Sequence, residues 1–468
     1  MADSKKGFRL ERDTLGEMLV PAKALYGIQT LRASENFRIS GIRPKGIFIK
    51  TTAMVKKAAA IANTALGLLD KRRGDAIIKA AEEVIEGRHD HEFLVDVYQA
   101  GAGTSHNMNA NEVIANRAIE LMRGNRGDYS IIHPNDHVNM GQSTNDTMPT
   151  ALRLALILTS ADLLTALARL RKALTSKSKE FSRVLKSGRT HLQDAVPMTL
   201  GAEFGSYASS ISAAMDAFAP PLSRLKALGL GGTATGTGIN SHHLFRVRAI
   251  SALREISGIS GLKKAANPYS AINSMADFTS YSGALRETAC ELIRISNDLR
   301  LLGSGPRTGL AEIRFPAIQP GSSIMPGKVN PVMAEMLAMV CFQVIGNDTA
   351  TALAVQAGQL ELNVMLPVIN YNTLHSTEIL KSAIDAFASR FISGIKADSA
   401  RCAEYLEGSV GLATILNPAI GYEAAASTAK EALATGKSIK AVALGKGLIS
   451  EKAWGILVRK AADLKTGE

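Results

Sequence analysis

Residues 147–174 read TMPTALRLALILTSADLLTALARLRKAL. Leu156, Leu163, Leu167, Leu170 and Leu174 recur at intervals of seven, four, three and four, the apolar stripe of an amphipathic helix. Pro149 falls near its first turn, where a missing amide proton costs least. The pattern returns at Leu285, Thr288, Leu292, Ile295, Leu299 and Leu302, and Gly303-Ser304-Gly305-Pro306 stops it. A third helix is expected from about Asn330-Pro331 through Leu337, Val340, Cys341, Val344 and Ile345. The alanine-rich stretch Thr52 to Glu86 also reads as helix. Strand-like alternation is sparse and short. These stripes predict a mainly α protein built round a central bundle of long helices.

The rest of the chain fits that frame. Its 468 residues are long enough for about three domains and for a large core without disulfides. We expect an N-terminal mostly helical domain over 1–141, a central helical bundle over 142–397 and a small helical domain over 398–468. Three scattered cysteines give neither a disulfide framework nor a cysteine zinc site, and suit a reducing compartment. Met1 to Phe8 is polar and reads as no secretory signal. The apolar run Met336 to Phe342 is short for a membrane span. A cytoplasmic protein with no membrane partner is expected. The net charge of +12 is spread along the chain, and no run interleaves aromatics with basic residues. That argues against nucleic acid and leaves a mild field that favours small anions.

Chemistry-bearing residues cluster in the interruptions between helices. The segment Gly303 to Pro331 holds five prolines and five glycines in 29 residues, and a stretch so long and irregular suggests a functional loop. Within it, Gly321-Ser322-Ser323-Ile324-Met325-Pro326-Gly327-Lys328-Val329-Asn330-Pro331 sets paired serines among potentially free backbone amides. Lys328 is a point charge suited to a carboxylate, and Asn330 can cap a helix or present an amide. Gly103 to Asn109, Gln142 to Asp146 and Gly188 to Asp194 add small hydrogen-bonding residues and His191. Taken singly, each segment is equally a turn with a helix cap. No metal site is indicated, because His133 and His137 are separated by Pro134 and lack a carboxylate on a shared helical face. Neither a G-x-G-x-x-G turn after a strand nor a Walker A loop is present. Many neutral donors with one lysine and one histidine suit a small dicarboxylate better than a nucleotide.

Together, and in this order, these segments resemble the aspartase/fumarase superfamily. The loop Gly321 to Pro331 is similar to its signature almost letter for letter. The similarity runs from Arg12-Asp13-Thr14-Leu15-Gly16 to Asn417-Pro418-Ala419-Ile420-Gly421-Tyr422. The resemblance implies a three-domain α subunit and a homotetramer whose active sites are each shared by three subunits. Thr104-Ser105, Thr144, Leu31-Arg32-Ala33, His191 to Met198 and Ala357 to Met365 lean toward the ammonia-lyase branch. His133-Pro134-Asn135-Asp136-His137 leans toward the hydratase branch, where it forms a second anion site. The implied activity is reversible deamination of L-aspartate to fumarate, with hydration of fumarate to L-malate as the alternative. A non-catalytic structural role is a further alternative.

The resemblance also implies roles. Ser322 would be the general base. Thr104, Ser143, Thr144 and Ser323 would hold the reacting carboxylate, and Lys328 and Asn330 the other. Asn145, Thr190 and His191 would lie round the amino group. Glu335 would set the tautomer and orientation of His191. His133, Asn135 and Asp136 would form the second anion site. No cofactor is implied.

Overall fold

A computed structural model describes residues 7–462; the polar segment Met1–Lys6 lies outside them. The chain opens with an antiparallel hairpin, β1 (Phe8–Asp13) and β2 (Gly16–Pro21), followed by helices α1 (Ile28–Asn36), α2 (Gly46–Ala65), α3 (Lys71–Ile85) and α4 (Thr104–Leu121). The longest helix, α5 (Thr144–Glu180), leads into a second antiparallel hairpin, β3 (Leu185–Thr190) and β4 (Gln193–Thr199). Next come α6 (Leu200–Asp216), α7 (Ala219–Leu225), α8 (Phe245–Ser257) and α9 (Pro268–Asn273). Three more long helices follow, α10 (Ala276–Leu302), α11 (Val332–Gln356) and α12 (Leu366–Arg390). Five short helices close the chain: α13 (Ser399–Gly408), α14 (Ala413–Ile420), α15 (Tyr422–Thr435), α16 (Ile439–Gly445) and α17 (Glu451–Ala462). The fold is mainly α with long central helices.

The chain divides into two compact units, one of residues 1–163, 217–287 and 343–379 and the other of 164–216, 288–342 and 380–468. In the first, α2, α3 and α4 close round Ile49, Ile77, Val84, Phe93, Val113 and Ile114. Its long-helix segments are pinned by a buried relay: Ser160 Oγ donates to Tyr281 Oη at 2.9 Å, and Tyr281 Oη lies 3.0 Å from Thr377 Oγ1. In the second unit, Arg169 Nε donates to Asp385 Oδ1 at 2.9 Å, tying α5 to α12. The closing helices there pack round Leu406, Leu416, Ala443 and Trp454.

The leucine stripe of α5 is wholly buried, as its spacing predicts. The helix starts three residues earlier than the sequence suggests, at Thr144, so Pro149 is its sixth residue. The reason is local. Ser143 N donates to Asp146 Oδ1 at 2.9 Å while Ser143 Oγ accepts from Asn145 N at 3.2 Å, a reciprocal cap that begins the helix at once. The stretch Thr52 to Glu86 is two helices, because Asp70 caps a fresh start by accepting from Arg73 N at 3.0 Å. By length and composition α5 and α11 are apolar enough to cross a membrane, although no single uninterrupted apolar run is that long. The most apolar window of α5 is 56% buried inside the protein, as in a core helix, and that of α11 is 39% buried.

Candidate active site

In the first unit the site is built on two helix N-termini. Ala102 and Gly103 take left-handed backbone conformations, φ 61° and 90°, and turn the chain so that Thr104 becomes the first residue of α4. A side chain at Gly103 would be strained by that φ and would sit 3.3 Å from Met148. Thr144 is the first residue of α5. The two starts are joined by a bond from Asn107 Nδ2 to Thr144 Oγ1 of 3.0 Å. Helix N-termini present free N–H groups and the positive end of a dipole, which favours anions. Ser143, Thr144 and Asn145 are half-buried and Thr104 is exposed. Asn145 is turned by its Nδ2 donating to Ala234 O at 2.8 Å.

Two buried charges frame this loop, and no motif in the sequence marks either of them as buried. The Asp146 carboxylate accepts from Ser143 N, Gly231 N and Thr233 N, each at 2.9 Å. Burial nevertheless pushes it up to about 6. Lys56 on α2 is fully buried and donates to Asn107 Oδ1 at 2.7 Å, Asn139 Oδ1 at 2.8 Å and Gln142 Oε1 at 3.1 Å. Burial pulls its ammonium down to about 7. Nothing local separates Lys56 from its neighbour in this alanine-rich helix, for Lys57 beside it points out to Glu82 at 2.8 Å.

In the second unit the serine loop closes on itself ahead of α11. Gly321 N donates to Lys328 O at 3.0 Å, and Asn330 Nδ2 donates to Gly321 O at 2.6 Å. A Cβ at Gly321 would lie 2.1 Å from Lys328 O, so the neck of the loop requires glycine. Of the two roles open to Asn330, a helix cap or a presented amide, the structure gives it an amide bond within the loop. Pro331 follows it and α11 starts at Val332, so its amide ties the loop neck instead. Ser322 Oγ accepts from Ile324 N at 3.2 Å and Met325 N at 3.1 Å. Two backbone donors aimed at one hydroxyl oxygen are what a developing serine oxyanion needs. Ser323 and Lys328 are exposed, and Lys328 Nζ has no ion pair or hydrogen bond among the described residues. A cavity of about 1450 Å³ adjoins the loop, lined by Lys328, Asn330 and Glu335 and by Arg300 and Arg307.

Thr190 and His191 stand at the tip of the β3–β4 hairpin. His191 and Leu192 form its two-residue loop with φ of 54° and 58°, the left-handed pair that matches strand twist. The hairpin base is anchored by Glu312, which is wholly buried and was not singled out from sequence. Its Oε1 accepts from Arg189 Nη1 at 2.7 Å. Lys186 Nζ lies 2.8 Å from its Oε2 at an angle poor for a hydrogen bond, so that contact is an ion pair. Glu335 and His191 make no bond with each other within the chain, among the described residues.

The segment of the expected second anion site is a π-helical turn, Pro134–Val138. His133 Nδ1 accepts from Asn135 N and Asp136 N at 3.2 Å, so that nitrogen caps the turn. His133 and Asn135 line a cavity of about 450 Å³ with Arg12, Arg32 and Tyr129, while Asp136 is exposed and outside that lining. Among the described residues no three of His, Cys, Asp and Glu gather as a metal-holding group.

Known proteins resemble the chain over nearly its whole length. A family model described as lyase matches residues 16–346, and one described as the fumarase C C-terminus matches residues 412–461. An aspartate ammonia-lyase of Pseudomonas canavaninivorans is 50% identical over 455 residues, 96% of this chain and 95% of its own. A class II fumarate hydratase of Corynebacterium glutamicum is 48% identical over 447 residues, 95% of this chain and 93% of its own. The solved structure of a fumarate lyase:delta crystallin from Brucella melitensis bound to cobalt superposes with a TM-score of 0.94 at 49% identity, covering 97% of this chain and 98% of that one.

Proposed function

The chain belongs to the lyase family that holds the aspartate ammonia-lyases and class II fumarases, and from that premise we propose that it catalyses the reversible deamination of L-aspartate to fumarate and ammonia. Relatives at about half identity are mostly aspartate ammonia-lyases. Identity alone does not decide between the branches, since the hydratase of Corynebacterium glutamicum is nearly as similar. The residues that favour deamination are Thr104-Ser105, Thr144 and His191-Leu192-Gln193, in the loops assigned to the substrate.

In this reading Ser322 removes a proton from the carbon next to one carboxylate and beta to the amino group. The electrons of the broken C–H bond pass into that carboxylate as an aci-carboxylate dianion, then return to form the double bond as the C–N bond breaks and ammonia leaves. Such a C–H is barely acidic, so the dianion must be met by donors already in place. Thr104, Ser143, Thr144 and Ser323 supply them, and Lys328 and Asn330 hold the second carboxylate. Asn145, Thr190 and His191 surround the amino group, with Glu335 orienting His191. The observation that carries the mechanism is the pair of backbone N–H groups on Ser322 Oγ, which lowers the cost of deprotonating that hydroxyl.

The same reading makes the protein a cytoplasmic homotetramer of three-domain subunits (1–141, 142–397 and 398–468), with each site drawn from three chains. His133, Asn135 and Asp136 remain candidates for a second anion site, and the chemistry calls for no cofactor. The test is to offer L-aspartate and L-malate separately and follow fumarate by its ultraviolet absorbance. Fumarate from L-aspartate with matching ammonia release is expected. Fumarate from L-malate alone would transfer the mechanism to the hydratase reaction.

A further inference from the structure

Burial lowers the pKa of Lys56, yet three side-chain amide oxygens, those of Asn107, Asn139 and Gln142, each accept from its Nζ, an arrangement that uses all three protons of the ammonium and so favours the charged form. Among the described residues no carboxylate lies within ion-pairing distance of it. A buried charge without a counter-ion is costly, so its place beneath the Ser143–Asn145 loop calls for a reason. The charged neighbours that act on it are few. The Asp146 carboxylate acts from the start of α5, and burial holds the nearby His106 ring of α4 well below its ordinary value, hence neutral.

The three amides show what the ammonium does. An amide can be turned over at little cost unless a neighbour distinguishes its oxygen from its nitrogen. By taking the oxygens, Lys56 sends each NH2 group the other way. Gln142 Nε2 donates to Val138 O at 3.0 Å, and Asn139 Nδ2 donates to Gln142 O at 3.2 Å. Asn107 Nδ2 donates to Thr144 Oγ1 at 3.0 Å and at longer range, 3.4 Å, to Asn139 Oδ1, while Thr147 Oγ1 approaches Asn107 Oδ1 at 3.5 Å, so the 2.7 Å bond from Lys56 is the shortest of the contacts that orient this amide. Because Thr144 Oγ1 accepts from Asn107, its own proton is free to point out of the protein. With Asn107 reversed, the threonine would donate inward to the amide oxygen and offer a substrate carboxylate only lone pairs.

We infer that Lys56 is a positioning residue: through Asn107 it fixes the direction of the Thr144 hydroxyl proton, so that the loop meets a carboxylate as a donor. This rests on the reading of that loop as a dicarboxylate site. It predicts that Lys56→Met, similar in length but uncharged, lowers kcat/KM about ten- to a hundred-fold, the value of a hydrogen bond to a charged group. Asn107→Asp should do the same while keeping a partner for Lys56, because its carboxylate takes the threonine proton inward.

The decisive experiment is a double-mutant cycle with Thr144→Val, reading kcat and KM for the substrate and the Kd of unreactive succinate by calorimetry. Once Thr144 has lost its hydroxyl, Lys56→Met and Asn107→Asp should each add less than a two-fold further loss. A merely structural lysine would give the same loss in both backgrounds, and that result, or a Lys56→Met protein within two-fold of wild type, overturns the inference. If Lys56→Met does not fold, the Asn107→Asp and Thr144→Val cycle decides in the same way. Turnover of L-malate in place of L-aspartate would defeat the proposed reaction while the succinate cycle still reads Lys56. A wild-type protein that binds no dicarboxylate defeats both.

Discussion

A serine hydroxyl holds its proton too tightly at neutral pH to take another from carbon unaided. Ser322 has its oxygen under two backbone N–H groups, and on the same loop stands Lys328, without an ion pair among the described residues. If it is the base, Ser322→Ala should lower kcat about a thousand-fold, the order expected for removing a general base, while the Kd for succinate stays within a few-fold of wild type. Near-normal kcat in that protein would remove serine from the role. The loop Gly321 to Pro331 was legible in the sequence as a shaped loop because glycines and prolines crowd it, while the roles proposed for Ser322, Lys328 and Asn330 come from the family resemblance. Lys56, Asp146 and Glu312 were not legible. Their importance comes from being charged and buried, and burial depends on partners far away in sequence: Asp146 is held by the amides of Gly231 and Thr233, and Lys56 by Asn107, Asn139 and Gln142.

Among the elements, the long helices declare themselves because one stripe of apolar residues serves one buried face, as the leucines of α5 do. Their ends are less legible, since a reciprocal cap at Ser143 outweighs the proline that seems to open α5. The β3–β4 hairpin was not read at all. Its strands hold Lys186, Ser187, Gly188 and Arg189 where apolar alternation would be expected. What fixes it is the buried Glu312 between Lys186 and Arg189. Glu312→Ala would leave Arg189 beside an emptied site and Lys186 with Glu203 Oε2, at 2.7 Å, as its remaining carboxylate, and should cost about 1–3 kcal/mol of stability, the usual penalty for leaving a buried group unsatisfied. Denaturant unfolding checks this, and a loss below about 1 kcal/mol would show that the hairpin is held by its backbone alone.

At the scale of the molecule, α11 leaves apolar side chains uncovered within one chain: Met339 is 63% exposed, Phe342 60% and Leu353 57%. Large apolar groups in such numbers on one helix suit a protein interface. Light scattering should therefore give a mass near four times the 49.6 kDa chain at working concentration, and a stable monomer with full activity would refute site sharing.

In the proposed reaction the loops admit ammonia where a hydratase would admit water. It is tested most directly in the reverse direction, by giving the protein fumarate with excess ammonium and identifying the product by proton NMR. L-aspartate is the expected product, with little or no L-malate when ammonium is withheld. L-malate formed at the same rate with or without ammonium, and no L-aspartate, would contradict it.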